Sequence, residues 1–126
     1  MRLFEFFQPA WQSEDKDKSL KSIEKITDLR VLSKVAQKAP HRETRFEAVF
    51  KIRQEMVWVD SKKYTEGLLV DLAKNAEDPH VRLRAARALK VYHADVTSSI
   101  NVKKLFSDIA ENATDPEVRA AAMKEL

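Results

Sequence analysis

The sequence predicts an all-α chain built as a stack of three helix pairs behind an N-terminal capping segment. Three observations predict it. The stretch Leu69–Leu89, LVDLAKNAEDPHVRLRAARAL, returns 37 residues later as Phe106–Leu126, FSDIAENATDPEVRAAAMKEL, and 37 residues earlier, in weaker form, as Leu32–Ile52, LSKVAQKAPHRETRFEAVFKI. A fixed period of this length is the mark of a stacked-repeat protein, in which each unit buries its apolar face only against its neighbours. A single glycine, Gly67, in a chain rich in Ala, Leu, Lys and Glu favours helix throughout.

The register holds column by column without a gap. Ala36, Ala73 and Ala110 coincide, as do Ala39, Ala76 and Ala113, then Arg45, Arg82 and Arg119, then Ala48, Ala85 and Ala122. Apolar columns lie between them: Val31/Leu68/Leu105, Leu32/Leu69/Phe106, Val35/Leu72/Ile109, Val49/Ala86/Met123 and Ile52/Leu89/Leu126. The small columns let two helices approach closely, and the larger ones supply the buried area.

In order along the chain, residues 1–11 hold Leu3, Phe4, Phe6, Phe7 and Trp11, side chains suited to covering the open end of the first repeat. The alternative is an exposed aromatic patch for a partner. Pro9 should end any short helix over residues 2–8. Ser13, followed by Glu14 and Asp15, reads as an N-cap with acidic residues at the positive end of a helix running to Ile26. Leu20, Ile23 and Ile26, shifted by 26, match Phe46, Val49 and Ile52, and Ser22 takes the place of Ala48. This segment therefore resembles the second helix of a pair whose first helix is missing or reduced.

Asp28 caps the next helix, which runs to Ala39, and Pro40 ends it. The helix beyond it carries Phe46, Val49 and Ile52. Residues 53–60 are expected to form the longest irregular connection, with Met56, Val57, Trp58 and Val59 as an apolar patch and Trp58 packed beneath adjoining helices. Asp60-Ser61 starts a helix that runs to Ala76. Asp78 caps its successor with Pro79 in the first helical position, where the missing N–H costs nothing. Asp115-Pro116 repeats the device, after a turn around His93–Ser99. The expected division is one domain: residues 1–27 as cap and partial repeat, then repeats over 28–53, 60–91 and 97–126. The last apolar column is Leu126, so little tail is expected beyond the repeats.

The arginine column stands in the first turn of each second helix, four residues after the cap in Asp78…Arg82 and Asp115…Arg119. Arg45, Arg82 and Arg119 are expected to form a structural ladder that hydrogen-bonds the caps and carbonyls of neighbouring turns.

The run Asp78-Pro79-x-Val81-Arg82-x-x-Ala85-Ala86-x-x-Leu89, with Asp115-Pro116-x-Val118-Arg119-x-x-Ala122, resembles the second helix of HEAT repeats over roughly residues 13–126. It is most similar to the short bacterial variety also seen in phycobilin-lyase-like proteins. The first full copy departs from the pattern, with His41-Arg42 in place of Asp-Pro. The resemblance implies a right-handed α-solenoid whose second helices line a concave surface for binding other macromolecules, and a scaffold or adaptor role. A fold alone does not carry a function.

No catalytic residue, metal site or cofactor is expected. His41, His80 and His93 are scattered, no HExxH motif is present, and there is no cysteine. Glu43/Glu47 and Asp108/Glu111 read as solvated faces or salt-bridge partners. A cysteine-free chain fits a reducing cytoplasm, and no apolar run approaches the roughly 20 residues that span a bilayer.

Charge distribution is the one positional clue to a partner. The net charge is +3, and residues 79–104 carry Arg82, Arg84, Arg87, Lys90, Lys103 and Lys104 against Asp95 alone. Residues 105–126 are acidic. Arg84 and Arg87 lie off the apolar columns, and Lys51, Lys90 and Lys124 extend them into a basic stripe. The stripe is expected to take an acidic or amphipathic segment of a protein partner. A plain solvated face, end-to-end stacking of copies, and nucleic-acid binding through the same stripe are the alternatives; the last calls for a broader positive field than this one.

Overall fold

The computed structural model describes residues 9–57, 62–92 and 100–126. The expectations for Leu3, Phe4, Phe6 and Phe7, for Trp58 and the Asp60-Ser61 start, and for the His93–Ser99 turn lie outside these residues.

Seven α-helices are described: α1 (Lys16–Ser22), α2 (Leu29–Lys38), α3 (Arg42–Gln54), α4 (Lys62–Asn75), α5 (Pro79–Tyr92), α6 (Val102–Asn112) and α7 (Pro116–Lys124). Most of their starts follow from side chains that accept the orphan N–H groups of a first turn. The Asp28 carboxylate accepts from Arg30 N at 2.9 Å, and Asn101 Oδ1 from Lys104 N at 3.0 Å. At α1 the cap is Asp15, which accepts from Lys18 N at 3.2 Å. Ser13, expected in that role, instead accepts from the Asp15 N–H and shapes the turn ahead of the cap. A carboxylate at the positive end of a helix dipole outweighs a neutral hydroxyl there. The helix expected to reach Ile26 leaves α geometry at Ser22 and finishes as a 3-10 turn over Ile23–Lys25.

Residues 39–41, 76–78 and 113–115 join α2 to α3, α4 to α5 and α6 to α7. Connections this short place consecutive helices side by side as antiparallel neighbours. The pairs stack in two layers: α2, α4 and α6 follow one another in one layer, and α1, α3, α5 and α7 in the other. The fold is an all-α solenoid, with α1 as the second-layer helix that lacks a first-layer mate among the described residues. The irregular connection expected from Arg53 begins later than that: Arg53 and Gln54 complete α3, and Glu55–Val57 form a 3-10 turn that buries Met56.

The core runs between the layers. Ala36, Ala48, Ala85 and Ala122 are fully enclosed, together with Leu32, Val35, Ile52, Leu69, Leu72, Leu89, Phe106 and Val118. Any larger side chain in the alanine columns would push the paired helices apart. Two apolar columns close only where a further helix covers them. Val49, Ala86, Ile52 and Leu89 are buried, whereas their counterparts, Met123 on α7 and Leu126 just past its end, are 63% and 57% exposed. Val31 is exposed in the same way on α2, the first helix of its layer. This is the expected consequence of a stack whose units bury surface only against their neighbours.

Trp11 lies buried in a 3-10 turn over Ala10–Gln12 and covers the start of the stack. Its carbonyl accepts from the buried Ser19 hydroxyl at 2.6 Å, and Ser19 Oγ meets Thr44 Oγ1 at 3.0 Å. Two hydroxyls and a carbonyl therefore satisfy one another inside the joint between α1 and α3, as buried polar groups must. Ser22 is half-buried and donates to the Ser19 carbonyl.

Thr65, by contrast, is fully buried near the start of α4, and its hydroxyl has no hydrogen-bond partner among the described residues. An unsatisfied buried hydroxyl destabilises by about 1–3 kcal/mol, and an apolar isostere removes that penalty. Thr65→Val is therefore expected to stabilise the fold by about 1 kcal/mol, raising the melting temperature by roughly 3–5 °C in calorimetry. An unchanged or lower melting temperature would show that the hydroxyl is satisfied.

Candidate partner-binding face

The second-layer helices are tied together at their N-terminal caps. Asp78 Oδ1 accepts from the His80 N–H at 2.9 Å, capping its own helix. Its Oδ2 accepts from the preceding repeat: from Arg45 at 2.9 Å and from Arg42 at 3.0 Å. Arg45 also donates to the Ala39 carbonyl at 2.6 Å, closing the C-terminal turn of α2. Asp115 divides its oxygens likewise. Oδ1 accepts from the Glu117 and Val118 amides, and Oδ2 accepts from His80 Nε2 at 2.9 Å.

Each arginine of the expected column donates to a carbonyl at or near the end of the preceding helix, and Arg45 alone of the three also meets the cap of the next repeat. Arg82 turns to the carbonyls of Ala76 and Glu77 at the end of α4, and the contact forward to Asp115 comes from His80. Arg119 reaches only Ala110 O, at 3.4 Å, and no described helix lies beyond it. The departure at His41-Arg42 has a use in both directions. His41 makes no cap bond but donates from Nε2 to Ser13 O at 3.1 Å, while Arg42 reaches forward to Asp78.

The surface of this layer opposite α2, α4 and α6 carries Phe50 on α3 and Arg84, Arg87 and Val91 on α5. Phe50 is 45% exposed and Val91 is 60% exposed. With Phe46, Arg53, Arg84 and Arg87 they line a groove of about 320 Å³ between α3 and α5. The Arg84 guanidinium stacks 3.8 Å from the Phe46 ring centroid, and Arg53 lies 5.8 Å from that of Phe50. Both are cation–π arrangements, which hold a guanidinium in place against the ring face.

The sequence-derived stripe divides at this point. Arg84 and Arg87 come together in the groove. Arg87 and Lys90 both face Glu125, the C-cap of α7, at 3.6 Å and 2.6 Å. Lys124 is exposed one column over from that clamp. Lys51 does not join the others. Its ammonium donates at 2.8 Å to both Ile23 O and Ile26 O, closing the carbonyl end of the 3-10 turn after α1. The features missed in sequence are Phe50, Val91 and the Glu125 clamp. Phe50 could have been found: it occupies the column that holds Arg87 and Lys124 in the other copies.

His80, Asp115 and Glu117, which look unrelated in sequence, offer ligand atoms within 4.8 Å of one another. This group stands at the N-termini of α5 and α7, where both helix dipoles oppose a cation, and both Asp115 oxygens already accept hydrogen bonds. What the geometry shows is a joint between repeats.

Among the described residues four carboxylates are held below their ordinary values, and each joins successive helices of this layer. For Glu43 the leading cause is the backbone hydrogen bond at its own helix start, followed by Lys16 of α1. For Asp115 it is the hydrogen bond from His80, and for Glu125 that from Lys90. At Asp78 burial is the largest single influence and pushes the carboxyl up, but hydrogen bonds from Arg45, the His80 amide and Arg42 together hold it below the usual 3.8.

Two outcomes follow. Arg45→Ala leaves the 7%-exposed Asp78 side chain short of its closest partner and should destabilise by about 2 kcal/mol. Arg82→Ala should cost about 1 kcal/mol, and Arg119→Ala no more than about 0.5 kcal/mol in urea titrations. A flat series would contradict the arrangement. Because the folded carboxyl of Asp78 titrates below its unfolded value, its contribution is complete above about pH 4 and is lost as the pH falls through the folded value. Asp78→Asn keeps a capping oxygen but no charge, so its stability should fall less steeply than that of wild type below about pH 4. Equal slopes would show that Asp78 is not part of the acid response.

A family model described as HEAT repeats matches residues 29–126, from the first residue of α2 to the end of the chain, and leaves α1 outside the match. No curated protein and no solved structure matches the chain. HEAT repeats are commonly protein-interaction scaffolds and generally non-catalytic. Among the described residues, no helix is long and apolar enough to cross a membrane. With the helix pairs α2/α3, α4/α5 and α6/α7 stacked in two layers and the match covering all three, the chain belongs to the HEAT-repeat family.

Proposed function

We propose that this protein is a non-catalytic scaffold or adaptor that binds a protein partner on the concave side of its solenoid, the face of α3, α5 and α7. One observation carries the proposal: exposed apolar side chains, Phe50 and Val91, share a groove with the guanidinium groups of Arg53, Arg84 and Arg87. Arginine and aromatic side chains dominate the energetics of protein interfaces, and an apolar centre rimmed by charge is the usual layout of a binding patch. Arg84 and Arg87 are the central contacts, with Lys90 and Lys124 at the edge toward α7. Lys51 supports the face from beneath by fixing the turn after α1.

A non-catalytic role is supported by the use made of the perturbed acids. Glu43, Asp78, Asp115 and Glu125 are each engaged by a hydrogen-bond donor or cation of an adjacent helix, which gives their lowered pKa values a structural cause. The absence of cysteine supports a reducing compartment such as the cytoplasm. Nucleic-acid binding through the same stripe is disfavoured because Glu125 neutralises Arg87 and Lys90, and a phosphate backbone requires a continuous positive track.

The test is affinity capture from a lysate of cells that express the protein, with and without nuclease, comparing wild type, Phe50→Ala and the double variant Arg84→Glu/Arg87→Glu. Phe50→Ala should change stability by no more than about 1 kcal/mol, since the ring is largely at the surface. The double variant should lose about 1–2 kcal/mol, because it removes the stacking on Phe46 and the pair with Glu125. Both should still be folded at the assay temperature. A protein that survives nuclease and is lost in both variants is the expected result. Loss of capture with nuclease would assign the face to nucleic acid, and capture indifferent to the variants would place binding elsewhere.

A further inference from the structure

Phe50 lines two grooves. Toward α5 lies the groove just described, lined by Arg53, Arg84 and Arg87 with no carboxylate among its described lining residues, although Glu125 stands 3.6 Å from Arg87 at its edge. Toward α1 lies a second groove of about 550 Å³, with Asp17, Glu24 and Glu47 on its walls. Lys21 and Lys51 also line it, and the Lys51 ammonium is turned onto the carbonyls of Ile23 and Ile26. Across α1, α3 and α5 the surface therefore changes from mixed and slightly acidic to basic, with an exposed aromatic ring at the boundary.

Resting on the partner-binding face proposed above, we infer that its occupant is an amphipathic segment of a partner protein with charge of both signs. A bulky apolar side chain sits on Phe50, carboxylates lie toward Arg84 and Arg87, and a lysine or arginine lies toward Asp17, Glu24 and Glu47. The argument is charge complementarity. A uniformly acidic segment that crossed all three helices would set its second half against the carboxylates of the α1 side, and a uniformly basic one would meet the guanidinium groups. Like-charge contacts at an interface reject a partner more strongly than matched ones attract it. Adjacent helix axes lie 8–10 Å apart, so the distance from α1 to α5 is roughly 20 Å. A helical segment of about 13 residues covers it at 1.5 Å per residue.

The device also reads orientation. A segment of mixed charge has one favoured direction across the face, set by which of its ends carries the carboxylates. A segment of one sign has none.

The test uses three labelled synthetic peptides of about 16 residues, helical and with the same leucine-containing centre. One carries glutamates at one end and lysines at the other, one carries glutamates at both ends, and one carries lysines at both. Fluorescence anisotropy with the full chain should show the mixed peptide binding at least about tenfold more tightly than either uniform peptide. In the variant Glu24→Lys/Glu47→Lys the preference should move to the glutamate peptide. In Arg84→Glu/Arg87→Glu it should move to the lysine peptide. Melting curves of both variants establish that they are folded. Equal binding of the three, binding of none, tightest binding of a uniform peptide, or a ranking unmoved by the exchanges would each overturn the inference. Such a failure leaves partner capture untouched if the lysate protein is still lost on changing Phe50, which separates this inference from the reading on which it rests.

Discussion

The structure depends on the division of labour within two aspartates. Asp78 and Asp115 each use one carboxylate oxygen to satisfy amide groups at the start of their own helix, and the other to accept from the preceding repeat. A residue type selected for a local reason, helix capping, thus becomes the fastener of the stack. The coupling has a physical consequence. A helix start that fails to form withdraws the acceptor on which its neighbour's cation depends, so local order and stacking are gained or lost together. The remaining low-pKa acids extend the same logic, since Glu43 meets Lys16 and Glu125 meets Lys90 and Arg87. One row of ion pairs runs from α1 to α7.

Most of the fold was legible in the sequence because it repeats. The helix pairs, the Asp-Pro starts and the alanine columns are periodic, and periodicity survives the loss of any single column. The errors arise where one copy departs from the others. His41-Arg42 reads as a damaged cap, yet its side chains link backward to Ser13 and forward to Asp78. A ladder of three equivalent arginines was expected, but only Arg45 meets the next cap. His80, two residues before the column residue Arg82, takes that role for Asp115. Side-chain reach and the competition among carbonyl acceptors decide such details, and neither is written in the repeat. The exposure of Met123 and Leu126 follows from the same source, since a column predicts burial only where another unit stands over it.

The candidate site was legible in part. Arg84 and Arg87 were identified from their position off the apolar columns, and the structure places both in one groove. Lys51 has the same column logic and a different fate, because the carbonyl end of the turn after α1 lies within its reach. The aromatic half of the site escaped notice because a phenylalanine among apolar residues reads as core. Its repeat column, which holds Arg87 and Lys124 in the other copies, marks Phe50 as outward-facing on α3, and there it is 45% exposed. Arg87 and Lys90, in turn, already hold a carboxylate. Glu125 shows within the chain itself that this pair accepts one, and a partner's acid binds there in competition with it.

The central claim is that partners are recognised on the α3–α5 face and not on the outer layer. The most direct test is to place a photo-crosslinking amino acid at Phe50 in one protein and at Tyr64, exposed on α4, in another, and to irradiate both in lysate. Crosslinks to a defined protein from position 50, with none from position 64, are the result this account predicts. Crosslinks from position 64 alone would contradict it and move recognition to the outer helices.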